Sequence, residues 1–125
     1  MYTPYLTAEE YVALGGTVSS SEIVRYIRTA SRHIDSLTFN RIVKQGFDNL
    51  SVFQQEIIKK VCFDITEFEY ENAEALQSTL SGYSVNGVSM QFGNGINVSN
   101  IGGVTIRNDT YALLLQTGLC YRGIQ

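Results

Sequence analysis

The chain has 125 residues, a net charge of −3 at neutral pH and a charged fraction of 17%. This length fits one domain with a single core, and the acidic balance argues against a free-standing DNA-binding protein, which normally carries a basic surface. Because soluble domains average about 25% charged residues, the low charge predicts that other molecules cover part of the surface.

The sequence also indicates the cellular compartment of the protein. It has no apolar run long enough to span a membrane, and Met1–Pro4 lack the basic and apolar segments of a signal peptide. We therefore expect neither membrane association nor export. Two cysteines do not make a disulfide framework, and the helical apolar pattern around Cys62 predicts a small core residue in a reducing compartment.

A short helix followed by a long one is predicted in the first third of the chain. Thr7 and Glu10 have the spacing of a capping box that opens a helix running to Leu14, and Gly15–Gly16 ends it. The central helix is predicted over Ser19–Ile42, with Ser19 as N-cap and Glu22 completing a capping box, and with a break near Phe39–Asn40. Its predicted core stripe is Ile23, Ile27, Ala30, Ile34 and Leu37.

The opposite side of the central helix carries Arg25, Arg28 and Arg32. These three arginines are interpreted either as a solvated face or as an interface with carboxylates or phosphates, for which the arginine fork is suited.

A second long helix is predicted from Asn49 or Ser51 to Leu80. Its apolar face should bury against the central helix and consists of Phe53, Ile57, Val61, Ile65 and Phe68. Its other side carries acidic residues at helical spacing: Asp64, Glu67, Glu71 and Glu74. This acidic ridge is either a solvated face or the surface that meets the arginines of a neighbouring copy.

No charged residue occurs between positions 75 and 106. Alternating apolar residues around Gly93–Gly95 predict a β-hairpin from Tyr83 to Asn100, which Val104 and Ile106 extend. The hairpin packs on the chain's own helices, pairs with neighbouring subunits or lines an inner surface, and the missing charges favour the assembly alternatives.

Asn108 is predicted to cap a last helix over Thr110–Thr117, which Gly118 ends. The tail Leu119–Gln125 is apolar and is expected to dock, on this chain or on a partner. The sequence thus predicts a mainly α fold in one domain. It is a small bundle of two long helices with short terminal helices (1–80 helical core, 107–125 last helix and tail) and an uncharged hairpin insertion at 81–106.

The residue types of common catalytic sites are too scattered to form one. His33 is the only histidine and is expected to be a surface or hydrogen-bonded residue rather than a catalyst, and Cys62 and Cys120 stand at no metal-ligand spacing from it. Gly93–Gly95 and Gly102–Gly103 are not phosphate-binding loops, because no Lys-Ser or Lys-Thr follows. We expect no enzyme activity and no cofactor.

Three stretches carry a family resemblance. They are Tyr5–Tyr11 with Leu14–Gly16, then Ile34–Ile42, and finally Gly118–Gly123. Together they resemble the small head–tail connector proteins (adaptor or head-completion proteins) of tailed bacteriophages and prophages. None is a catalytic signature, so the resemblance depends on their order and on the length of the chain.

The resemblance implies a helical bundle that assembles into a ring, typically twelvefold, beneath the portal at the capsid vertex. Such a ring binds the portal and the next neck or tail protein and extends the channel through which DNA passes without sequence-specific binding. It implies a virion protein of the neck, made in the host cytoplasm, with no cofactor.

From these expectations we assign two sets of candidate residues. The candidate subunit interface joins the arginines to the acidic ridge: Arg25, Arg28, Arg32, Asp64, Glu67, Glu71 and Glu74. The candidate contacts with partners or the channel lumen lie in the hairpin and the tail: Val88, Met90, Phe92, Asn94, Ile96, Val98, Leu119, Tyr121 and Arg122.

Two other functions remain open from the sequence. A small nucleic-acid-binding regulator would use Arg25, Arg28, Arg32, Arg41 and Lys44, and would bind DNA in a salt-dependent way. A generic helical interaction module, or another virion component such as a tail-terminator protein, is the second alternative, and tail-terminator proteins are typically richer in strand.

Overall fold

A computed structural model of the chain describes residues 3–73, 76, 90–92 and 96–120. The fold is mainly helical with a small antiparallel sheet, as the sequence predicts. Its elements in chain order are α1 (Ala8–Ala13), α2 (Ile23–Leu37), α3 (Arg41–Gln45), a 3₁₀ turn (Phe47–Asn49), α4 (Val52–Glu71), β1 (Met90–Phe92), β2 (Ile96–Ile101), β3 (Val104–Arg107) and α5 (Asn108–Leu115).

Helix α1 starts at the predicted capping box. The Glu10 N–H donates to Thr7 Oγ1 (3.0 Å), and the Thr7 N–H donates to Glu10 Oε1 (2.9 Å). Two N–H groups that the first helical turn leaves without backbone partners are satisfied in this way. Gly15 follows the helix with φ +88°, a conformation that costs a side-chain-bearing residue about 1–2 kcal/mol.

Helix α2 begins four residues later than predicted. Glu22 is its N-cap and makes no side-chain capping bond, whereas Ser19 lies in a preceding turn in which its carbonyl accepts from the Glu22 N–H (2.9 Å). The predicted capping box at Ser19 is therefore wrong. Ser19 and Glu22 are the first and last residues of a turn, which has the same three-residue spacing as a capping box. The predicted break near Phe39–Asn40 is confirmed, since both residues adopt positive φ (55° and 60°) before α3 begins.

Helix α4 starts at Val52, after the second of the two predicted starting points, and its N-cap Ser51 forms a reciprocal capping box with Gln54. It ends at Glu71, because Asn72 leaves helical geometry as its C-cap, so the predicted single helix is interrupted there. Ala73 and Leu76 are helical again, the Leu76 N–H bonds the Asn72 carbonyl (2.9 Å), and residues 74, 75 and 77–80 lie outside the described residues.

The core lies between α2 and α4. All five predicted stripe residues of α2 are at most 6% exposed, and Ile57, Val61, Ile65 and Phe68 of α4 are at most 7% exposed. Cys62 is fully buried, as predicted. Phe53 is a correction, because its side chain is 56% exposed at the start of α4 and does not join the core.

The strands form a sheet in the order β1-β2-β3, with antiparallel pairs throughout. The register pairs Met90 with Val98 and Ser99 with Ile106, and alternation along the strands puts Val98 and Ile106 on opposite faces. Val104 and Ile106 enter the main core, and Val98 packs with Phe68 in a second cluster. Strands β2 and β3 therefore pack on the chain's own helices through Val98, Val104 and Ile106, while residues 83–89 and 93–95 lie outside the described residues.

Helix α5 starts at Asn108, two residues before the predicted start. Asn108 does not cap it, because Arg107 is the N-cap and the Asn108 Oδ1 instead accepts from Ser99 Oγ (2.6 Å). Gly118 ends this region with φ +75°. Leu119 is only 5% exposed and docks on the chain itself.

Candidate interaction surfaces

The three arginines of α2 are exposed. Arg25 is already engaged, since its guanidinium bonds Glu22 Oε2 (2.5 Å) and lies 4.9 Å from the centroid of the Tyr26 ring. Arg28 makes no ion pair with any described residue. The three arginines of α2 therefore have fewer uncompensated charges for a partner to contact than the sequence suggests.

The predicted acidic ridge does not form one continuous surface in the described residues. Asp64 pairs with Lys60 one turn earlier (3.0 Å), and Glu71 is exposed. Glu74 lies outside the described residues. Glu67 is predicted to face a neighbouring copy, but its carboxylate makes hydrogen bonds within its own chain.

Glu67 joins α4 to the segment after α1. Its Oε1 accepts from the Thr17 N–H (2.8 Å) and its Oε2 from the Thr17 hydroxyl (2.7 Å). The Tyr11 hydroxyl also donates to Glu67, and it accepts from the Val18 N–H (2.8 Å). Burial and the adjacent Glu67 carboxylate raise the pKa of Tyr11 above its ordinary value. Glu67 is thus a structural link, and a neighbouring copy could reach it only by competing with these bonds.

Two more polar contacts on α2 are not predicted by the sequence. The Tyr5 hydroxyl donates to buried Asp35, and the Tyr5 N–H donates to Ser31 Oγ (3.0 Å), which ties the amino-terminal segment to α2. On the same helix, His33 Nδ1 lies 2.5 Å from Oε2 of the buried Glu69. A signal existed for the first contact, since Ser31 and Asp35 flank the apolar stripe one turn apart.

The hairpin and tail candidates are only partly described. Met90, Phe92 and Ile96 lie in strands, and Val88, Asn94, Tyr121 and Arg122 lie outside the described residues. Val98 and Leu119 are buried in the chain's own clusters, at 0% and 5% exposure. These two side chains are therefore not accessible to a partner, and their prediction as contact residues is wrong.

Large apolar side chains are exposed on several elements. Eight of them in the described residues are 47–72% exposed: Val12, Leu14, Val24, Phe39, Val43, Val52, Phe53 and Leu115. Scattered exposed apolar residues are ordinary, whereas adjacent ones indicate an interaction surface. Val52 and Phe53 are adjacent in sequence, and both lie at the start of α4.

A chain of contacts joins the loop after α2 to the end of α5. The Arg41 guanidinium lies 5.2 Å from the centroid of the exposed Phe39 ring and donates to the Leu119 carbonyl (3.1 Å). The Gln54 side-chain amide donates to the Thr117 carbonyl (2.9 Å). These bonds fix Thr117 and Leu119 beside α3 and the first turn of α4.

An open groove of about 580 Å³ lies between the amino-terminal segment and α3. Its lining is mostly apolar and includes Leu6, Ile42 and Phe47. Its charged rim includes Lys59, whose ammonium bonds Glu10 and holds the pKa of that carboxyl below its ordinary value. Lys59 and Glu10 therefore already compensate each other, and Asp48 adds one more carboxylate to the lining.

Both cysteines are described, and their thiols lie in surroundings that affect their ionisation. Burial raises the pKa of both thiols, Cys62 and Cys120, to about 11, and so disfavours the reactive thiolate. Within the described ranges, no three His, Cys, Asp or Glu side chains lie close enough to hold a metal ion. No described helix is both long and apolar enough to cross a membrane.

Comparisons with protein-family models, with curated proteins and with solved structures found no match to this chain.

Proposed function

We propose that this protein is a structural virion component that forms a ring between the portal and the tail or neck of a tailed bacteriophage. In this role it extends the DNA channel and joins head to tail after DNA packaging, without catalysis and without a cofactor. The portal protein and the next neck or tail protein are its proposed partners.

The observation that carries the proposal is the exposure of apolar side chains on a chain with few charges. Val24 on α2 and Phe53 on α4 are both more than half exposed, although their helices pack against each other through other residues. A closed ring needs two different contact surfaces on each copy, because its interfaces are heterologous. Exposed apolar residues on both packed helices fit that requirement.

The architecture and the sequence motifs support the same proposal. A bundle of two long helices with a small sheet agrees with the helical bundle that the family resemblance implies. One of the resembling stretches, Ile34–Ile42, spans the break at Phe39–Asn40, where two consecutive residues other than glycine adopt positive φ. Such conformations cost about 1–3 kcal/mol each and are concentrated at functional positions.

The alternative of a nucleic-acid-binding regulator is less well supported. Arg25 is paired with Glu22, and Arg41 bonds the Leu119 carbonyl and contacts Phe39, so two cations of the proposed footprint already have intrachain contacts. An electrophoretic mobility-shift assay at low salt separates the two functions. The connector proposal predicts no stable complex with short duplex DNA, and tight salt-dependent binding would favour the regulator.

Electron microscopy tests the ring directly. The purified protein, alone and mixed with its proposed portal partner, should form rings in negative stain, and mass photometry should give a single multiple of the 13.9 kDa chain. A protein that remains monomeric in both conditions would contradict the proposed function. The portal mixture is the informative arm, since the portal can template a ring that the isolated chain forms poorly.

A further inference from the structure

The first two turns of α4 carry an exposed surface that includes Phe53, which the sequence predicts to be a core residue. Val52 is 72% exposed and Phe53 is 56% exposed. Glu56, one turn further along, is also exposed and makes no ion pair with any described residue. An aromatic and an aliphatic side chain beside an uncompensated carboxylate form a small amphipathic patch, which we call the α4 patch (Val52, Phe53 and Glu56).

The first turns of α2 carry a patch with the same spacing and the opposite charge. Val24 is 57% exposed, and Arg28 is exposed four residues later without an ion-pair partner in the described residues. We call these two residues the α2 patch. In both patches the apolar residue precedes the charge by three or four residues, which is about 6 Å along a helix.

The two patches lie on different helices and are different surfaces of the chain. Helical spacing puts Glu56 opposite the buried Ile58 and Ile65 of α4. Arg28 lies on the flank of α2, one turn before the buried Ser31 and beside the core stripe. Two different and complementary surfaces on one chain make head-to-tail contacts, which close into rings when the rotation permits.

We infer that the α4 patch of one copy docks on the α2 patch of the next copy, with Val52 and Phe53 packing against Val24 and with Glu56 pairing with Arg28. This inference rests on the proposed ring and names the contact that builds it. It replaces Glu67 as the acidic partner, since the Glu67 carboxylate is used within its own chain. Of the remaining acidic candidates, Asp64 is paired with Lys60, Glu74 lies outside the described residues, and Glu71 lies 15 residues from Glu56 along α4, or about 22 Å.

Charge reversal tests the pairing. Arg28→Glu and Glu56→Arg should each weaken assembly about tenfold or more, because each variant sets like charges against each other at the contact. The double variant Arg28→Glu/Glu56→Arg should recover assembly. Mass photometry across a concentration series measures the oligomer fraction, and circular dichroism verifies that each variant is folded.

Glu71→Arg is the matched control, because Glu71 is an exposed glutamate of the same helix. Combined with Arg28→Glu it should give no recovery, and recovery by Glu71→Arg in place of Glu56→Arg would overturn the pairing. Phe53→Ser removes an exposed side chain and should also reduce assembly while the monomer stays folded.

The outcomes separate this inference from the proposed function. If the wild-type chain forms rings and the variants Arg28→Glu, Glu56→Arg and Phe53→Ser form them equally well, the docking of the two patches is wrong. The proposed ring itself would still stand. A wild-type chain that stays monomeric with and without the portal would overturn both.

Discussion

The Tyr11 hydroxyl donates a hydrogen bond to the Glu67 carboxylate and thereby joins two residues that are 56 positions apart in the sequence. The same hydroxyl accepts from the Val18 N–H, and the same carboxylate accepts from Thr17. One phenol and one carboxylate thus satisfy the N–H groups of two adjacent residues, Thr17 and Val18, in the middle of the connector between α1 and α2. The Tyr11 ring is fully buried, and a Cβ on Gly16 would come within 2.4 Å of it, so glycine is required where the connector crosses the ring.

Replacement of Tyr11 by phenylalanine should destabilise the fold. The change removes one donor to Glu67 and leaves the Val18 N–H without its acceptor, and an unsatisfied buried group costs about 1–3 kcal/mol. Urea denaturation followed by circular dichroism measures the change. Tyr26→Phe is the control, since the Tyr26 hydroxyl makes no hydrogen bond with the described residues, and it should change stability by less than about 0.5 kcal/mol. Equal effects of the two variants would show that the hydroxyl contact is not what stabilises this region.

The pair between His33 and Glu69 should be energetically coupled. His33→Leu leaves a buried carboxylate facing an apolar side chain, which should cost about 1–3 kcal/mol in the free energy of unfolding. The double variant His33→Leu/Glu69→Leu removes both polar groups and should be more stable than His33→Leu alone, because replacing both partners of a buried pair is often nearly neutral. A double-mutant cycle in urea measures the coupling, and strictly additive effects would contradict it.

The helix starts that the sequence predicted well are those with a purely local signal. Thr7 with Glu10 and Ser51 with Gln54 form their capping boxes within four residues, so no tertiary information is needed. Ser19 with Glu22 has the same spacing, yet the backbone closes a turn there and α2 starts only at Ile23. The spacing alone does not distinguish a turn from the first turn of a helix.

The candidate surfaces were less predictable, since they depend on contacts between distant segments. Helical periodicity places Phe53 on the same stripe as Ile57 and Val61, but it does not show where the neighbouring helix ends. Periodicity likewise groups Glu67 with Asp64 and Glu71. Nothing near Glu67 in the sequence indicates that its carboxylate accepts a hydrogen bond from Tyr11. The exposure of Phe53 and the internal use of Glu67 therefore emerge only from the folded chain.

Acid should weaken the contact between α1 and α4. The bond from Lys59 and the capping bond from the Thr7 N–H hold the pKa of Glu10 below its ordinary value of 4.5. The folded state then binds fewer protons than the unfolded state, so this stabilisation is complete above about pH 4.5 and is lost as the pH falls through the lowered pKa of the folded state. Carboxyl chemical shifts recorded by NMR between pH 7 and pH 2.5 report that pKa.

Lys59→Met should raise the pKa of Glu10 towards 4.5 and reduce the loss of stability on acidification. Lys60→Met is the matched control on the same helix, since Lys60 pairs with Asp64 rather than with Glu10. If Lys59→Met left the Glu10 titration unchanged, the assignment of this effect to Lys59 would be wrong.

The two thiols should differ in reactivity because they differ in burial rather than in pKa. Both have a pKa of about 11, so only about one thiol in a thousand is ionised at pH 8. Cys62 is fully buried and Cys120 is partly exposed. Iodoacetamide at pH 8 should therefore modify native Cys120 slowly and Cys62 only after unfolding, as mass spectrometry of the peptides reports.

In a Cys120→Ser variant, native protein should remain unmodified and urea-unfolded protein should gain one adduct. Rapid modification of Cys62 in the native variant would mean that α2 and α4 separate far more often than their buried contact implies.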